Sequence, residues 1–378
     1  MALDGFNVNV VSERSFLSRI DLRLVGLVFT LNVIGLINLF SATHGPHSKD
    51  VEGLFLQQIV WLTAGWTVFL VMTFIDYVWI NRVVWIMYIL NIGALLYTDF
   101  FGRVVLGGQR WIDLHFFRYQ PSETMKLCII LLLAKTLVNR NPEGPGMGLR
   151  DLFFPFILLI VPFVLTVKQP DLGTAMLLMM IGGTILFFVK IRKSILVTIF
   201  VLGAVAAPLA WKYALKDYQR HRVYTFLSPD SDPQGKGYNS IQSRIAVGSG
   251  QFFGKGFRQG TQSQLEFLPE RHTDFIYSVL SEEWGFVGSM IVLMTFIFLF
   301  LVCFEIASRA RDKFGALIVI GVSAYLFWHM FINIGMVIGL LPIVGVPLPL
   351  LSYGGSGMIT TMLGMGLISS VAYRRYLF

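Results

Sequence analysis

The stretch "EFLPERHTDFIYSVLSEEWGF", residues 266 to 286, places an arginine, a histidine and several carboxylates directly before a long apolar run. Asp274 stands where the polar segment turns into that run. A carboxylate held near lipid, with Arg271 and His272 before it and Glu282 and Glu283 after it, can have its proton affinity tuned for acid/base work. The competing reading is structural: Thr273 or Asp274 could simply cap the following helix, since both residue types are preferred there. Two further carboxylates enter apolar runs in the same way. Glu123 and Lys126 in "QPSETMK" are three residues apart, share a helix face and can pair. They are either an ion pair supporting the site or part of it. Asp171, near Lys168 in "VKQPDLG", begins another apolar run and again reads as a cap or a functional acid. Together Asp274, Glu123 and Asp171 could hold a divalent cation through oxygen ligands, although no dense ligand run such as an EF-hand is present.

These residues are positioned by a chain that is 55% hydrophobic and only 14% charged over 378 residues. Its apolar runs repeatedly reach the length of about 20 residues that crosses a bilayer. The runs are apolar on every side, which excludes a β-barrel with its alternating pattern. The expected fold is therefore an all-α polytopic membrane protein forming a single integral membrane domain over residues 1–378. About ten spans are expected, near 22–43, 55–74, 78–100, 121–138, 152–167, 171–189, 195–213, 280–304, 317–337 and 356–372. Arginines and lysines at 14, 19, 23, 140, 150, 190, 192, 193, 309, 311, 313, 374 and 375 all fall on one side of that arrangement. The positive-inside rule makes that side cytoplasmic and places both termini there. The N-terminal segment is too polar and acidic for a cleavable signal. Cys128 and Cys303 both sit in apolar runs, so neither a disulfide framework nor a cysteine metal site is expected.

The opposite face carries the unusual segments, including a long loop over about 214–272 between the seventh and eighth spans. From Lys212 to Arg271 there are nine Lys or Arg against five acids. The glycine-rich core "GSGQFFGKGFRQGTQ" offers backbone amides and interleaved cations suited to phosphate oxygens. Arg222, Arg244, Lys255 and Arg258 are the candidate anion-binding cations; the alternative is that they anchor the loop on anionic headgroups. The last loop, "PLPLLSYGGSG", reads as rigid irregular backbone lining a water-accessible site, with Ser352 and Tyr353 as candidate sugar or phosphate contacts. Walker loops, HExxH and nucleophile-elbow motifs are absent, which argues against nucleotide hydrolysis and proteolysis, and no nucleic-acid motif accompanies the positive charge.

The segments "GGQRWIDL", "QPSETMK", "KQPDLGTA", "GYNSIQSRIAVGSGQFFGKGFRQGTQSQLEFLPERHTDFIYSVLSEEWGFVG" and "NIGMVIGLLPIVGVPLPLLSYGGSGM" together resemble the SEDS family of bacterial cell-wall proteins (shape, elongation, division and sporulation), in order and over nearly the whole chain. "LPERHTDFI" and "VPLPLLSYGGSGM" are more similar to the elongation member than to the division member. The resemblance implies a peptidoglycan glycosyltransferase that polymerises lipid II at the outer face of the cytoplasmic membrane. It also implies a class B penicillin-binding protein as transpeptidase partner within the elongation machinery, a divalent cation (Mg or Mn) and no nucleotide or organic cofactor. Under it Asp274 matches the essential aspartate, and Glu123, Lys126 and Asp171 match other polar positions. His115 departs from the family, which usually has glycine there. Two other classes stand beside this reading: a lipid II transporter, disfavoured because the polar motifs gather on one side, and a noncatalytic scaffold that would tolerate loss of Asp274.

Overall fold

The computed structural model describes residues 19–44, 53–105, 108–114, 118–138, 146–209, 212–213, 217–228, 236–265 and 267–375. In chain order the first three helices are α1 (Leu22–Thr43), α2 (Gly53–Phe74) and α3 (Tyr77–Phe101). Strands β1 (Arg103–Val105), β2 (Gly108–Asp113) and β3 (Arg118–Tyr119) follow. Next come α4 (Pro121–Val138), α5 (Leu149–Lys168), α6 (Leu172–Phe187) and α7 (Lys193–Leu209). The long loop contributes α8 (Asp217–Leu227), α9 (Lys236–Ser249) and the single turn α10 (Thr261–Gln264). The chain closes with α11 (Ile276–Ser308), α12 (Lys313–Val337) and α13 (Gly355–Arg374).

Helices lie at every segment expected to span, and among the described residues seven are long and apolar enough to cross a membrane: α1, α2, α3, α5, α11, α12 and α13. Helix α6 is apolar but shorter. Between α3 and α4, β2 of the "GGQRWIDL" segment is the central strand of a small antiparallel sheet in the order β1-β2-β3, with Arg103 opposite Trp111 and Ile112 opposite Tyr119. Such short strands leave too little alternation to be read against their polar surroundings.

Short carboxylates set several helix starts. Asp21 accepts from the amides of Arg23 and Leu24, Asp76 from Val78, and Asp312 from Gly315, each satisfying an orphan donor of a first turn. Helix α4 is the hub of the core: from Met125 to Leu133 every side chain is buried, including Lys126, which is wholly enclosed. It packs against α3, α5, α6, α12 and α13. Cys128 and Cys303 are buried free thiols.

The glycine-rich core of the long loop is locked onto α11. The helix breaks at Gly285, with φ 63° and ψ −157°, and the turn after α9 fills the break. Lys255 N donates to Glu282 O and Gly256 N to Glu283 O, both at 3.0 Å. A Cβ at Gly250 would stand 1.9 Å from Ser281 O and one at Gly254 2.1 Å from Glu283 O, so both approaches require glycine.

Candidate active site

The segment 338–354 between α12 and α13 is the floor of the site, and the candidate residues converge on it from four helices. Asp274 does not cap α11. Phe275 occupies the cap position without a side-chain bond, and among the described residues the Asp274 carboxylate accepts no hydrogen bond. The backbone around it is fastened instead. Asn333 Nδ2, on buried α12, donates to Asp274 O at 2.8 Å and to Val346 O at 2.7 Å. Ser352 Oγ accepts from Leu348 N at 2.8 Å and donates to Thr273 O at 2.7 Å, and Tyr353 N donates to His272 O at 3.0 Å. These bonds hold the Asp274 segment against the last loop. Gly345 sits at φ +76°, and a Cβ there would come within 3.2 Å of Asp274 Oδ2. The carboxylate thus rests over bare backbone, densely surrounded by protein while keeping partial access to solvent.

Burial pushes the Asp274 carboxyl up to about 7, assisted by the negative charges of Glu270 and Asp171. Asp171 takes the role of a cap: its Oδ1 accepts from Thr174 N at 3.2 Å and its Oδ2 from Gln120 Nε2 at 3.3 Å. Two residues on, a Cβ at Gly173 would lie 3.1 Å from Val344 O, so the start of α6 abuts the loop on which the Asp274 carboxylate rests. Arg110, from β2, stands 3.7 Å from Asp171 Oδ1 and donates to the carbonyls of Gln169 and Pro170. Lys168 is exposed at the end of α5 and makes no ion pair among the described residues.

On the other side of the floor, Lys126 Nζ donates to Glu123 Oε1 at 2.7 Å and to His329 Nε2 at 2.8 Å. With Nε2 accepting, the ring proton lies on Nδ1, which faces Pro347 O at 3.3 Å. Lys126 also lies 5.1 Å from the centre of the Tyr325 ring, whose hydroxyl meets Thr361 Oγ1 at 2.8 Å. Among the described residues Glu123 Oε2 is buried without a hydrogen-bond partner, and Glu123 borders a cavity of about 30 Å³ shared with His329, Pro347, Ser352 and Tyr353. That volume admits about one water. Tyr353 is tied to α2 through Gln57 Oε1 at 2.7 Å, and burial raises its phenol. His272, 5.9 Å from the Tyr353 ring and 3.9 Å from Glu270, has its basicity lowered by burial.

The four loop cations divide. Arg244, on α9, lies across Gly339 at the end of α12 and forms no ion pair among the described residues; a Cβ at Gly339 would meet its Cδ at 2.5 Å. Helix α9 is held there by Ser243 Oγ, bonded to Ser278 Oγ at 3.0 Å and Val337 O at 2.7 Å. Lys255 is committed elsewhere, donating to buried Glu282 Oε1 at 2.8 Å and to Thr261 Oγ1 at 2.8 Å. Arg258 donates to His44 O and lies over the Phe40 ring. Of the candidate anion-binding cations, Lys255 and Arg258 thus fasten the loop to α11 and α1. The side chain of Arg222, and His115, lie outside the described residues.

Among the described residues, no group of three His, Cys, Asp or Glu side chains is placed to hold a metal. Glu123 is paired with Lys126 and Asp171 is spent on a cap and Arg110, so these two and Asp274 do not form one ligand set. Sequence reasoning missed Arg110, Asn333 and His329. The last two were visible as polar positions in the otherwise apolar "FWHMFINIGM", where an ionisable or amide side chain signals function or a buried partner.

The fold defines a multi-pass protein of the bacterial inner membrane, with the Asp274 carboxylate beside the segment 338–354. The chain belongs to the FtsW/RodA/SpoVE family, described as "Cell cycle protein", which it matches over residues 22–377. Peptidoglycan glycosyltransferase MrdB of Escherichia coli (strain K12) is 46% identical over 289 residues, covering 76% of this chain and 77% of that one. Rod shape determining protein RodA of Thermus thermophilus superposes with a TM-score of 0.70 at 27% identity, over 94% and 98% of the two chains. A chain from a structure described as the structural coordination of polymerization and crosslinking by a peptidoglycan synthase complex superposes with a TM-score of 0.80 at 31% identity, over 95% and 99%.

Proposed function

We propose that this chain is a peptidoglycan glycosyltransferase of cell elongation that polymerises lipid II, with Asp274 as general base. The observation that carries the reading is a carboxylate free of capping bonds, raised to about 7 and held over Gly345 beside a polar floor. Glycan growth joins a hydroxyl of one lipid-linked sugar to the anomeric carbon of another. The C–O bond to the diphosphate breaks, the diphosphate leaves on its lipid carrier, and the hydroxyl proton passes to the Asp274 carboxylate. Such proton transfer contributes about a hundredfold to ten-thousandfold. Arg244 supplies positive charge for the diphosphate, and Lys168 is the second candidate, because neither is consumed by an ion pair among the described residues. A divalent cation, Mg or Mn, would arrive with the diphosphate as part of the substrate.

The same proposal takes the ten helices α1 to α7 and α11 to α13 as crossings, puts both termini in the cytoplasm and puts the site outside. It includes a class B penicillin-binding protein as partner, since the superposed structure is a peptidoglycan synthase complex. Purified protein given lipid II in detergent tests the activity, because a transporter makes no glycan without a membrane to cross. Glycan strands that vanish with Asp274→Asn are expected, with chelator and transpeptidase added in separate arms. Undiminished polymerisation by that variant would overturn the base assignment.

A further inference from the structure

The turn 250–257 presents large aromatic surface where a water-facing loop would hide it. Phe252 and Phe253 are 57% and 79% exposed, with their rings edge to face at 5.0 Å. Phe252 stacks at 5.7 Å on Phe286, itself exposed, at the head of the apolar run of α11. The exposed surface continues down that helix through Ile297 and Phe304, which recur at helical spacing from Phe286 and face lipid in a spanning helix. The aromatic patch is therefore continuous with the lipid-facing wall of the bundle.

The backbone of the turn is equipped for that depth. Gly254 N donates to Gly250 O at 2.7 Å, Phe286 N to Gln251 O at 2.9 Å and Val287 N to Phe252 O at 3.1 Å, in addition to the Lys255 and Gly256 amides already bound to α11. Its polar groups are thus exchanged with the broken turn of the helix at Gly285. Non-helical backbone is tolerated at the hydrocarbon boundary when protein satisfies it in this way, and aromatic side chains gather at that boundary.

We propose that the turn 250–257 is a re-entrant interfacial element, with Phe252 and Phe253 inserted among phospholipid acyl chains at the leaflet boundary on the site's side of the membrane. Phospholipid is the occupant because the patch extends the lipid-facing surface of α11. The inference rests on the spanning of α11 and not on the proposed glycosyltransferase activity. Through Glu282 and Glu283 the turn fixes the depth of the start of α11, and so of the segment carrying Asp274.

Spin labelling in proteoliposomes of phosphatidylethanolamine and phosphatidylglycerol tests this. The native Cys128 and Cys303 are buried, so Phe253→Cys or Phe252→Cys gives one reactive thiol on the surface. Leu301→Cys, exposed on α11, serves as the acyl-chain reference. At both turn positions nitroxide collisions with oxygen are expected to exceed those with a water-soluble nickel chelate, the same sign as at Leu301. Nickel excess at both positions would overturn the proposal by placing the turn in water. Labels shielded from both reagents would overturn it in favour of coverage by protein, whether a second copy or a partner.

Discussion

Asp274 titrates near neutrality because burial and the nearby charges of Glu270 and Asp171 all disfavour its ionised form. Its base form is complete only above about pH 7, so the acid limb of the polymerisation profile should break near 7 and fall about tenfold per unit below. A pH profile that broke near the ordinary value of 3.8 would contradict this. The linkage has a definite sign. Between 3.8 and about 7 the folded carboxyl holds a proton that the unfolded one has lost, so stability declines as pH rises through that window and levels off above it. Asp274→Asn removes the burdened charge and should stabilise the fold at pH 8 by on the order of 1 kcal/mol given the side chain's partial solvent access, read as a raised melting temperature, while abolishing activity. The Glu123–Lys126 pair behaves oppositely, because each charge is the partner that makes the other tolerable. Removing one alone, as in Lys126→Met, should cost about 3–5 kcal/mol, whereas Lys126→Met combined with Glu123→Leu should recover most of it. Thermal unfolding in detergent distinguishes the two outcomes; equal loss in single and double variants would deny the coupling.

The segment 338–354 acts as an element even though it has no regular structure, since it receives Asn333, His329 and Gly173, holds Thr273 O through its own Ser352, and so fixes where Asp274 lies. Gly345 is the position where it tolerates least. Alanine there must adopt φ near +76° and put a methyl 3.2 Å from the carboxylate, costing about 1–2 kcal/mol and moving the base. Gly345→Ala should therefore lose polymerisation at least about tenfold with little change in inserted protein, read by the lipid II assay alongside membrane abundance. The proline- and glycine-rich composition of this loop was legible as rigid and irregular, and apolar length located the helices. The pairing of Asp274 with Gly345 was not legible, because residues 71 apart in sequence meet only through tertiary packing. Spacing also left open whether Asp171 and Asp274 cap their helices. Packing decides it oppositely for the two, since Asp171 reaches the Thr174 amide and Phe275 takes the cap of α11. Charge counts in the glycine-rich turn likewise do not register that Lys255 pairs with buried Glu282.

At the scale of the whole molecule, the number of crossings turns on the helices whose composition is least decisive. Helix α4 carries a charged pair in its first turns, α6 has 16 residues and α7 has 17. A 16-residue helix rises about 24 Å, less than the ~30 Å hydrocarbon core. Its ends differ in kind, however. Asp171 and Lys168 flank one end beside the site, and Lys190, Arg192 and Lys193 flank the other as a basic cluster of the type kept on the cytoplasmic side. Long flanking side chains and local thinning make up such a shortfall at a cost of fractions of a kcal/mol per Å. If α6 crosses, cysteines at Lys168 and Lys190 lie on opposite sides, and both positions are exposed enough to label. In intact spheroplasts an impermeant maleimide should modify Lys168→Cys and spare Lys190→Cys until the membrane is opened, with buried Cys128 and Cys303 giving little background. Labelling of both from outside would remove α6 as a crossing, leave an odd number of spans and reverse the side assigned to every basic loop before it or after it.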